Sequence, residues 1–116
     1  MFLTMLKSKL YGIRITDADL KCSGSITIDP LMLDWAAIRE FEQVHVLDIE
    51  NGERFITYVI KGKQGDVIVN GAAARLVTIG DPLIILTYGI FDSSESYYAS
   101  GYPNKFDGSK FQRLVK

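Results

Sequence analysis

The dipeptide Gly24-Ser25 lies just before the apolar run Ile26-Thr27-Ile28 and has two interpretations. In the first it is a turn that leads into a strand, because glycine adopts unusual backbone angles and serine caps turns. In the second it is a self-cleaving bond, in which the serine hydroxyl attacks the preceding carbonyl and converts the amide to an ester. Elimination from that ester gives dehydroalanine, which hydrolyses to a ketone at the head of the new chain. The dipeptide alone is too common to decide between them.

Arg54 and Tyr58 are polar residues in a strand-like run that ends at Ile60. Strand alternation places both on one face with Ile56, whereas Thr57 lies on the opposite face. The run is either an ordinary hairpin strand or the wall of a pocket, with Arg54 as a carboxylate clamp and Tyr58 as an acid. A single site that uses both Thr57 and Tyr58 therefore needs a bend, a bulge or a second chain.

The segment Val69-Asn70-Gly71-Ala72-Ala73-Ala74-Arg75 also has two interpretations. It is an ordinary capped helix start, or a helix N-terminus whose exposed N–H groups bind an anion. Its small side chains suit a carboxylate better than a nucleotide. Neither a P-loop nor a dinucleotide-binding glycine motif occurs in the chain, so phosphate binding has no specific support.

The composition excludes several other kinds of chemistry. One cysteine, Cys22, and one histidine, His45, rule out an internal disulfide and a zinc site built from several Cys or His ligands. We interpret His45 as a structural strand residue and Cys22 as a small buried hydrophobe. Thirteen basic and fourteen acidic residues give a net charge of -1, which argues against binding to nucleic acid or to an anionic membrane.

The first residues of the chain are apolar but meet Lys7 and Lys9 at once, unlike a signal peptide. No apolar run approaches the ~18 residues of a membrane span. A cytoplasmic protein is therefore expected.

The elements that must position these residues are short strands separated by Gly, Asn and Asp. Strands are predicted over Lys9–Thr16, Val44–Ile49, Arg54–Ile60, Asp66–Val69 and Leu83–Tyr88, with a hairpin turn at Asn51-Gly52. One short helix is predicted to start at Asp29-Pro30, with Leu31, Trp35 and Ile38 at helical spacing. A second is predicted to be capped by Asn70 and to end near Gly80.

Many short strands with brief helices indicate a mainly β fold, a small β-barrel. The 116 residues suit one domain. We expect a barrel core over about residues 1–88 and a peripheral, partly mobile tail over about 89–116, where no periodicity is visible.

Taken together, four segments resemble the pyruvoyl-dependent aspartate 1-decarboxylase family. They are Met5-Leu6-x-x-Lys9, Gly24-Ser25-Ile26-x-Ile28-Asp29, Asn51-Gly52-x-Arg54-x-x-Thr57-Tyr58, and Asn70-Gly71-Ala72-Ala73-Ala74 followed by Ile79-Gly80-Asp81. Each segment alone is weak evidence, but all four occur in the family's order and spacing over about residues 1–88.

The resemblance implies a double-psi β-barrel that assembles as a homotetramer with active sites between subunits. It implies a zymogen that cleaves itself into chains 1–24 and 25–116, with or without a maturation factor, so that Ser25 becomes a covalently bound pyruvoyl group. Neither a metal nor pyridoxal phosphate is then expected. The residues implied in self-processing are Gly24, Ser25, Thr57, which would bond near the Gly24 carbonyl, and Asn70, which would help to hold the site.

The implied activity is that of a lyase that converts L-aspartate to β-alanine and CO2 through an imine with the pyruvoyl group, as a step of pantothenate biosynthesis. The implied catalytic residues are Ser25 and Tyr58, the latter returning a proton to the α-carbon. Substrate binding is implied for Lys9, Arg54, Thr57, Gly71, Ala72 and Ala73.

Three positions depart from the residues common in the family: Tyr11, where histidine is usual, Cys22, often tyrosine, and Leu47, often aromatic. Two alternatives stay open. One is a non-catalytic barrel with a regulatory or DNA-binding role, which requires a basic stripe that the scattered Lys and Arg do not supply. The other is a family member that prefers a different acidic amino acid, such as glutamate.

Overall fold

The computed structural model describes residues 1–114, and these form a mainly β architecture with short helices. The strands are β1 (Phe2–Arg14), β2 (Asp17–Asp19), β3 (Ser25–Ile28), β4 (Gln43–Asp48), β5 (Arg54–Lys61), β6 (Val67–Asn70), β7 (Pro82–Asp92) and β8 (Asn104–Asp107). The helices are α1 (Pro30–Ala36), a 3-10 helix (Gly71–Leu76) and α2 (Gly108–Leu114). The predicted fold class, a mainly β chain with short helices, is confirmed and is consistent with a small β-barrel. Its double-psi form stays a prediction.

The strands join in one sheet in the order β2-β6-β3-β5-β4-β7-β1-β8. Strand β3 lies between β5, to which it is parallel, and β6, to which it is antiparallel. Strand β3 starts at Ser25, β5 carries Arg54, Thr57 and Tyr58, and β6 ends at Asn70. The topology therefore brings three of the four sequence segments into adjacent strands.

One face of the sheet is buried because apolar residues alternate along its strands. In β4 and β7 the alternation buries Val44, Val46, Leu83 and Ile85, all fully. Burial of such side chains is the main favourable contribution to folding. The opposite face of β5 and β7 carries large exposed apolar or aromatic side chains: Ile56, Tyr58, Tyr88 and Ile90.

Helix α1 begins as predicted, with Asp29 as its N-cap and Pro30 in the first turn. The Asp29 carboxylate accepts the N–H of Leu31 at 2.7 Å and satisfies a backbone donor of the first turn. Its buried face differs from the expected one: Met32, Leu33 and Ala36 are buried, whereas Leu31 is half exposed. Both faces of this short helix are apolar, so spacing alone did not identify the inner one.

Strand β1 is longer than predicted and contains two irregularities, one of them between Tyr11 and Ile13. Strict alternation along the predicted strand Lys9–Thr16 would put Tyr11, Ile13 and Ile15 on one face, but the bulge changes the alternation there. Leu10 and Ile13 are fully buried, and Tyr11 is exposed.

The chain after Gly89 contributes to the sheet and the core, unlike the peripheral tail that the sequence suggests. Strand β7 continues to Asp92, and β8 pairs in parallel with β1. The side chain of Phe111 in α2 is 2% exposed, and its ring packs edge-on against Trp35 with centroids 4.9 Å apart. The C-terminal elements thereby cover one side of α1 and β1. No helix within residues 1–114 is long and apolar enough to cross a membrane.

A carboxyl pair, of which Asp48 is buried and Asp81 half-buried, lies at the base of the β4–β5 hairpin. Asp48 is 1% exposed, and its Oδ1 accepts the N–H groups of Glu50 at 2.9 Å and Asn51 at 3.3 Å. Its Oδ2 is buried without an N–H or O–H donor, so it bonds to the carboxylate of Asp81 only when one of the two carries a proton. Burial raises the pKa of Asp48 to about 6, and the bond with Asp81 acts in the same direction. The same bond lowers the pKa of Asp81.

The substitution Asp48→Asn is expected to raise the melting temperature at pH 7.5 and to give little gain at pH 4.5. The raised pKa means that folding favours protonated Asp48, so its contribution to stability is fully present below about pH 4 and is lost as the pH rises through about 6. Asparagine keeps an oxygen for the two N–H groups and offers Asp81 a permanent N–H. Thermal unfolding at pH 4.5, 6 and 7.5 measures the effect, with exposed Asp34→Asn as the control for charge. An equal shift at all three pH values contradicts the shared proton.

Candidate active site

The hydroxyl of Ser25 is held by the side chain of Asn70. The two residues face each other in the antiparallel register of β3 and β6, and they are 4% and 7% exposed. The Nδ2 of Asn70 donates to Ser25 Oγ at 3.0 Å and to Thr27 Oγ1 at 2.9 Å. Because Ser25 Oγ accepts this bond, its own hydrogen is free for another acceptor. The bond fixes the orientation of a hydroxyl that is almost closed to water.

This contact corrects the expectation that Asn70 caps a helix. The side chain of Asn70 makes no cap hydrogen bond, and the helix that follows is a 3-10 helix that ends at Leu76 instead of near Gly80. The Nδ2 group of the amide donates to β3, and the side-chain oxygen, which is the atom a cap would use, accepts no N–H of the helix. Within the segment Gly71–Ala73, Gly71 is buried, Ala72 is exposed and Ala73 is half-buried.

The backbone of Gly24 packs directly on Gly71. A Cβ at position 71 would stand 2.6 Å from the Cα of Gly24 and 2.7 Å from its nitrogen, and φ at Gly71 is +80°. Gly24 has φ +108°, but a Cβ there would meet nothing within 4 Å. Gly24 therefore needs glycine for its backbone conformation, and Gly71 needs it for conformation and for space. This backbone-to-backbone contact therefore lies directly beside the Gly24-Ser25 bond.

Strand β5 presents its polar residues as the alternation predicts. Arg54 and Tyr58 are exposed on the outer face, Tyr58 to 38%, whereas Thr57 is half-buried on the inner face. In the parallel register, Ile26 of β3 pairs with Val59. Counting two residues back along both strands leads to Gly24 and Thr57, so Thr57 belongs to the end of the sheet where the Gly24-Ser25 bond lies.

Arg54 forms a cluster with two residues of the neighbouring strands. Its Nη2 is 2.9 Å from Nδ1 of His45 in β4 and 3.3 Å from the hydroxyl oxygen of Tyr88 in β7. The rings of His45 and Tyr88 meet edge-on, with centroids 5.0 Å apart. A cleft of about 420 Å³ opens beside them, lined by Thr4, Gln43, His45, Tyr88, Gly89 and Ile90.

Lys9 and Arg54 do not meet within this chain. Lys9 of β1 pairs with Leu86 of β7. Leu86 in turn pairs with His45 of β4, and His45 pairs with Ile56 of β5. Along the sheet, the path from Lys9 to β5 therefore crosses three strand spacings of about 4.8 Å, roughly 14 Å. The Nζ of Lys9 is 5.7 Å from the centroid of the Tyr11 ring. The monomer thus brings Gly24, Ser25, Asn70 and Gly71 together but does not join Lys9 to Arg54.

Cys22 is exposed, which corrects its interpretation as a buried hydrophobe. Its Sγ donates to a carboxylate oxygen of Asp19 at 3.1 Å, and this bond raises the pKa of the thiol. A raised pKa keeps the sulfur protonated and a poor nucleophile. Cys22 therefore lies two residues before Gly24 without the features of a reactive thiol.

Sequence reasoning missed Thr27, His45 and Tyr88 as neighbours of the site. Thr27 could have been found, because alternation puts it on the same face of β3 as Ser25. The contacts of His45 and Tyr88 with Arg54 depend on the pairing of β4 with β7, for which the sequence contains no local signal.

Comparison with known proteins gives a consistent result. The family model described as aspartate decarboxylase matches residues 1–103. The aspartate 1-decarboxylase of Campylobacter hominis is 50% identical over 96 residues, which are 83% of this chain and 84% of that protein. That of Acetivibrio thermocellus is 52% identical over 98 residues, 83% of this chain and 78% of its own length. That of Kosmotoga olearia is 52% identical over 97 residues, 82% and 84% respectively.

Proposed function

The chain belongs to the aspartate decarboxylase family, and on that basis we propose that it is a lyase that converts L-aspartate to β-alanine and CO2. The resemblance carried by its four sequence segments is thereby confirmed. Family membership also argues against a non-catalytic regulatory or DNA-binding barrel. The structural observation that carries the proposal is the hydrogen bond from Asn70 to the buried hydroxyl of Ser25.

Ser25 is proposed to become a pyruvoyl group by self-cleavage. Its Oγ forms a bond to the carbonyl carbon of Gly24 while the C–N bond between the two residues breaks and the hydroxyl proton passes to the nitrogen. Elimination from the ester then breaks the Cβ–Oγ bond and removes the α-hydrogen of Ser25 as a proton, so the oxygen stays on Gly24 as part of a carboxylate. Water hydrolyses the resulting dehydroalanine and releases ammonia. No external oxidant or cofactor is consumed.

The residues around the bond fit this reaction. Ser25 is 4% exposed, so bulk water has little access to compete with its hydroxyl for the carbonyl. Asn70 restricts the rotation of Oγ, which lowers the entropy that the attack must lose. Gly24 adds no side chain at the carbonyl, and Gly71 permits the close approach of the backbone. Thr57 is assigned to hold the Gly24 carbonyl from the neighbouring strand.

When formed, the pyruvoyl group supplies the electron sink that loss of CO2 from aspartate requires. The guanidinium of Arg54 carries a permanent charge and a fork of donors that matches a substrate carboxylate. Lys9 is the proposed second cation, and Thr57 and the backbone of Gly71, Ala72 and Ala73 are proposed hydrogen-bond donors. Tyr58 is the proposed acid that gives a proton to the carbon that lost CO2.

A homotetramer, which the family resemblance implies, is proposed, and a site left incomplete within one chain supports assembly with further copies. Lys9 and β5 are separated by three strand spacings, and Arg54 and Tyr58 open onto the outer face of the sheet. Ile56, between them, is 57% exposed, and Ile90 is 76% exposed. Large apolar side chains exposed on one face of a sheet are typical of an interaction surface. A second copy against this face would bury them and could bring its own residues to the site.

The intact mass of the purified protein tests self-processing. We expect two chains, residues 1–24 and 25–116, with no free amine at the head of the larger one, together with formation of β-alanine from aspartate. Sodium borohydride added with aspartate is expected to leave a substrate adduct on the larger chain. The proposal is contradicted if the chain stays uncleaved under two conditions: after prolonged warming, and after expression in cells that process a family member of their own and so supply any maturation factor.

Competition between aspartate and glutamate tests the substrate. At equal concentrations we expect β-alanine to exceed γ-aminobutyrate, the product of glutamate. The opposite ratio would assign the chain to the alternative acidic substrate without affecting the self-processing step, since cleavage precedes substrate binding.

A further inference from the structure

The contact between Arg54 and His45 constrains the protonation of the histidine. Arginine stays charged and has only donors, so its Nη2 must donate across the 2.9 Å that separates it from Nδ1 of His45. Nδ1 must then be an acceptor, and the imidazole must be neutral with its proton on Nε2. The hydroxyl of Tyr88 accepts from the same Nη2 at 3.3 Å, and its ring meets His45 edge-on.

A second proton on His45 would remove this arrangement. Nδ1 would become a donor facing a donor, and two cations would stand side by side. The titratable groups that face His45 are Arg54 on β5, Tyr88 on β7 and, farther along β5, Tyr58, the cross-strand partner of Gln43. The cleft that His45 lines has no Asp or Glu among its described lining residues. No carboxylate of the described cleft is therefore in place to balance a doubly protonated ring.

We propose that His45 is a positioning residue for Arg54, and that protonation of His45 weakens the binding of the aspartate carboxylate. The proposal rests on the carboxylate-binding role of Arg54. Neutral His45 holds one guanidinium nitrogen toward the sheet, which fixes the plane of the fork on the outer face. Protonated His45 releases that nitrogen, and the guanidinium keeps only the longer contact with the hydroxyl of Tyr88. Histidine is the side chain that most often changes charge in mildly acidic to neutral solution, and the kinetic test spans that range.

Steady-state kinetics of the processed enzyme between pH 5.5 and 8 test the functional half of the proposal. Both carboxylates of aspartate stay ionised over this range. We expect KM of the wild type to rise about fivefold to tenfold toward pH 5.5, the loss of about one charge-assisted hydrogen bond, with kcat changed by less than about twofold. His45→Asn keeps an acceptor at the position of Nδ1 without titrating, and its KM is expected to stay nearly flat. His45→Leu lacks the acceptor, and its KM is expected to be raised at every pH.

The structural half is tested by nitrogen-15 NMR of histidine-labelled protein. The chain has one histidine, so the imidazole signals need no assignment. At pH 8 we expect the tautomer with the proton on Nε2, and in Arg54→Ala a change toward a mixture of tautomers. A wild-type ring protonated on Nδ1 overturns the proposal, and so does a KM of His45→Asn that rises in acid as in the wild type. Because the NMR readout needs no turnover, it still tests the Arg54–His45 contact if the decarboxylase function itself fails.

Discussion

Replacing Ser25 with alanine is expected to leave one uncleaved chain and no detectable decarboxylation of aspartate. The change removes the oxygen that is proposed to attack the Gly24 carbonyl, and the other hydroxyl bonded to Asn70, that of Thr27, lies two residues farther along the strand. The fold should persist, because Asn70 keeps its bond to Thr27 Oγ1 at 2.9 Å. Intact mass, activity and circular dichroism of the same sample measure the three statements.

Thr27→Val is the matched control for this experiment. Thr27 shares the strand, the face and the donor with Ser25, but it is not adjacent to the Gly24-Ser25 bond that is proposed to be cleaved. We expect the variant to be cleaved and active, with slower maturation because Asn70 loses one of its two acceptors. Cleavage of Ser25→Ala would show that the attacking oxygen has been assigned wrongly. A complete block in Thr27→Val would place the essential chemistry in the hydrogen-bond network and not in the Ser25 hydroxyl.

The features that the sequence predicted correctly are those set by local geometry. Alternation along β5 placed Arg54 and Tyr58 on one face and Thr57 on the other, because side chains of a strand point to opposite sides whatever it pairs with. The N-cap at Asp29 was likewise readable, since the carboxylate, the proline and the N–H that it accepts lie within three residues.

The features that could not be predicted depend on pairing between distant segments. Asn70 was expected to cap its own helix, a local choice, but β3 offers it two hydroxyl acceptors that are 43 and 45 residues away in the chain. Phe111 seemed part of a peripheral tail because α2 is short and its apolar partner, Trp35, is distant. Arg54 and His45 meet because their strands form a hairpin, yet only the position of β7 brings Tyr88 to both. In each case tertiary contact overrode the local preference.

Replacing Gly71 with alanine is expected to slow self-cleavage at least tenfold and to destabilise the fold. The positive φ of +80° costs a residue with a Cβ about 1 kcal/mol. The new Cβ would also stand 2.6 Å from the Cα and 2.7 Å from the nitrogen of Gly24, and backbone atoms cannot rotate away as a side chain could. Overpacking of this kind adds about 1–3 kcal/mol, which gives roughly 2–4 kcal/mol in all.

The clash would move the segment that contains the proposed cleavage bond. The cleavage rate should therefore fall by more than backbone strain from a positive φ alone would explain. Gly65→Ala separates the two contributions, because Gly65 also has a positive φ, +85°, but a Cβ there meets nothing within 4 Å. We expect Gly65→Ala to lower the free energy of unfolding by about 1 kcal/mol and to be cleaved at nearly the normal rate. The free energy of unfolding is best compared in the Ser25→Ala background, where every chain is expected to be uncleaved. The cleavage rate is measured by intact mass in protein that keeps Ser25. If Gly71→Ala matured as fast as Gly65→Ala, the close contact between Gly71 and Gly24 would have no part in self-processing.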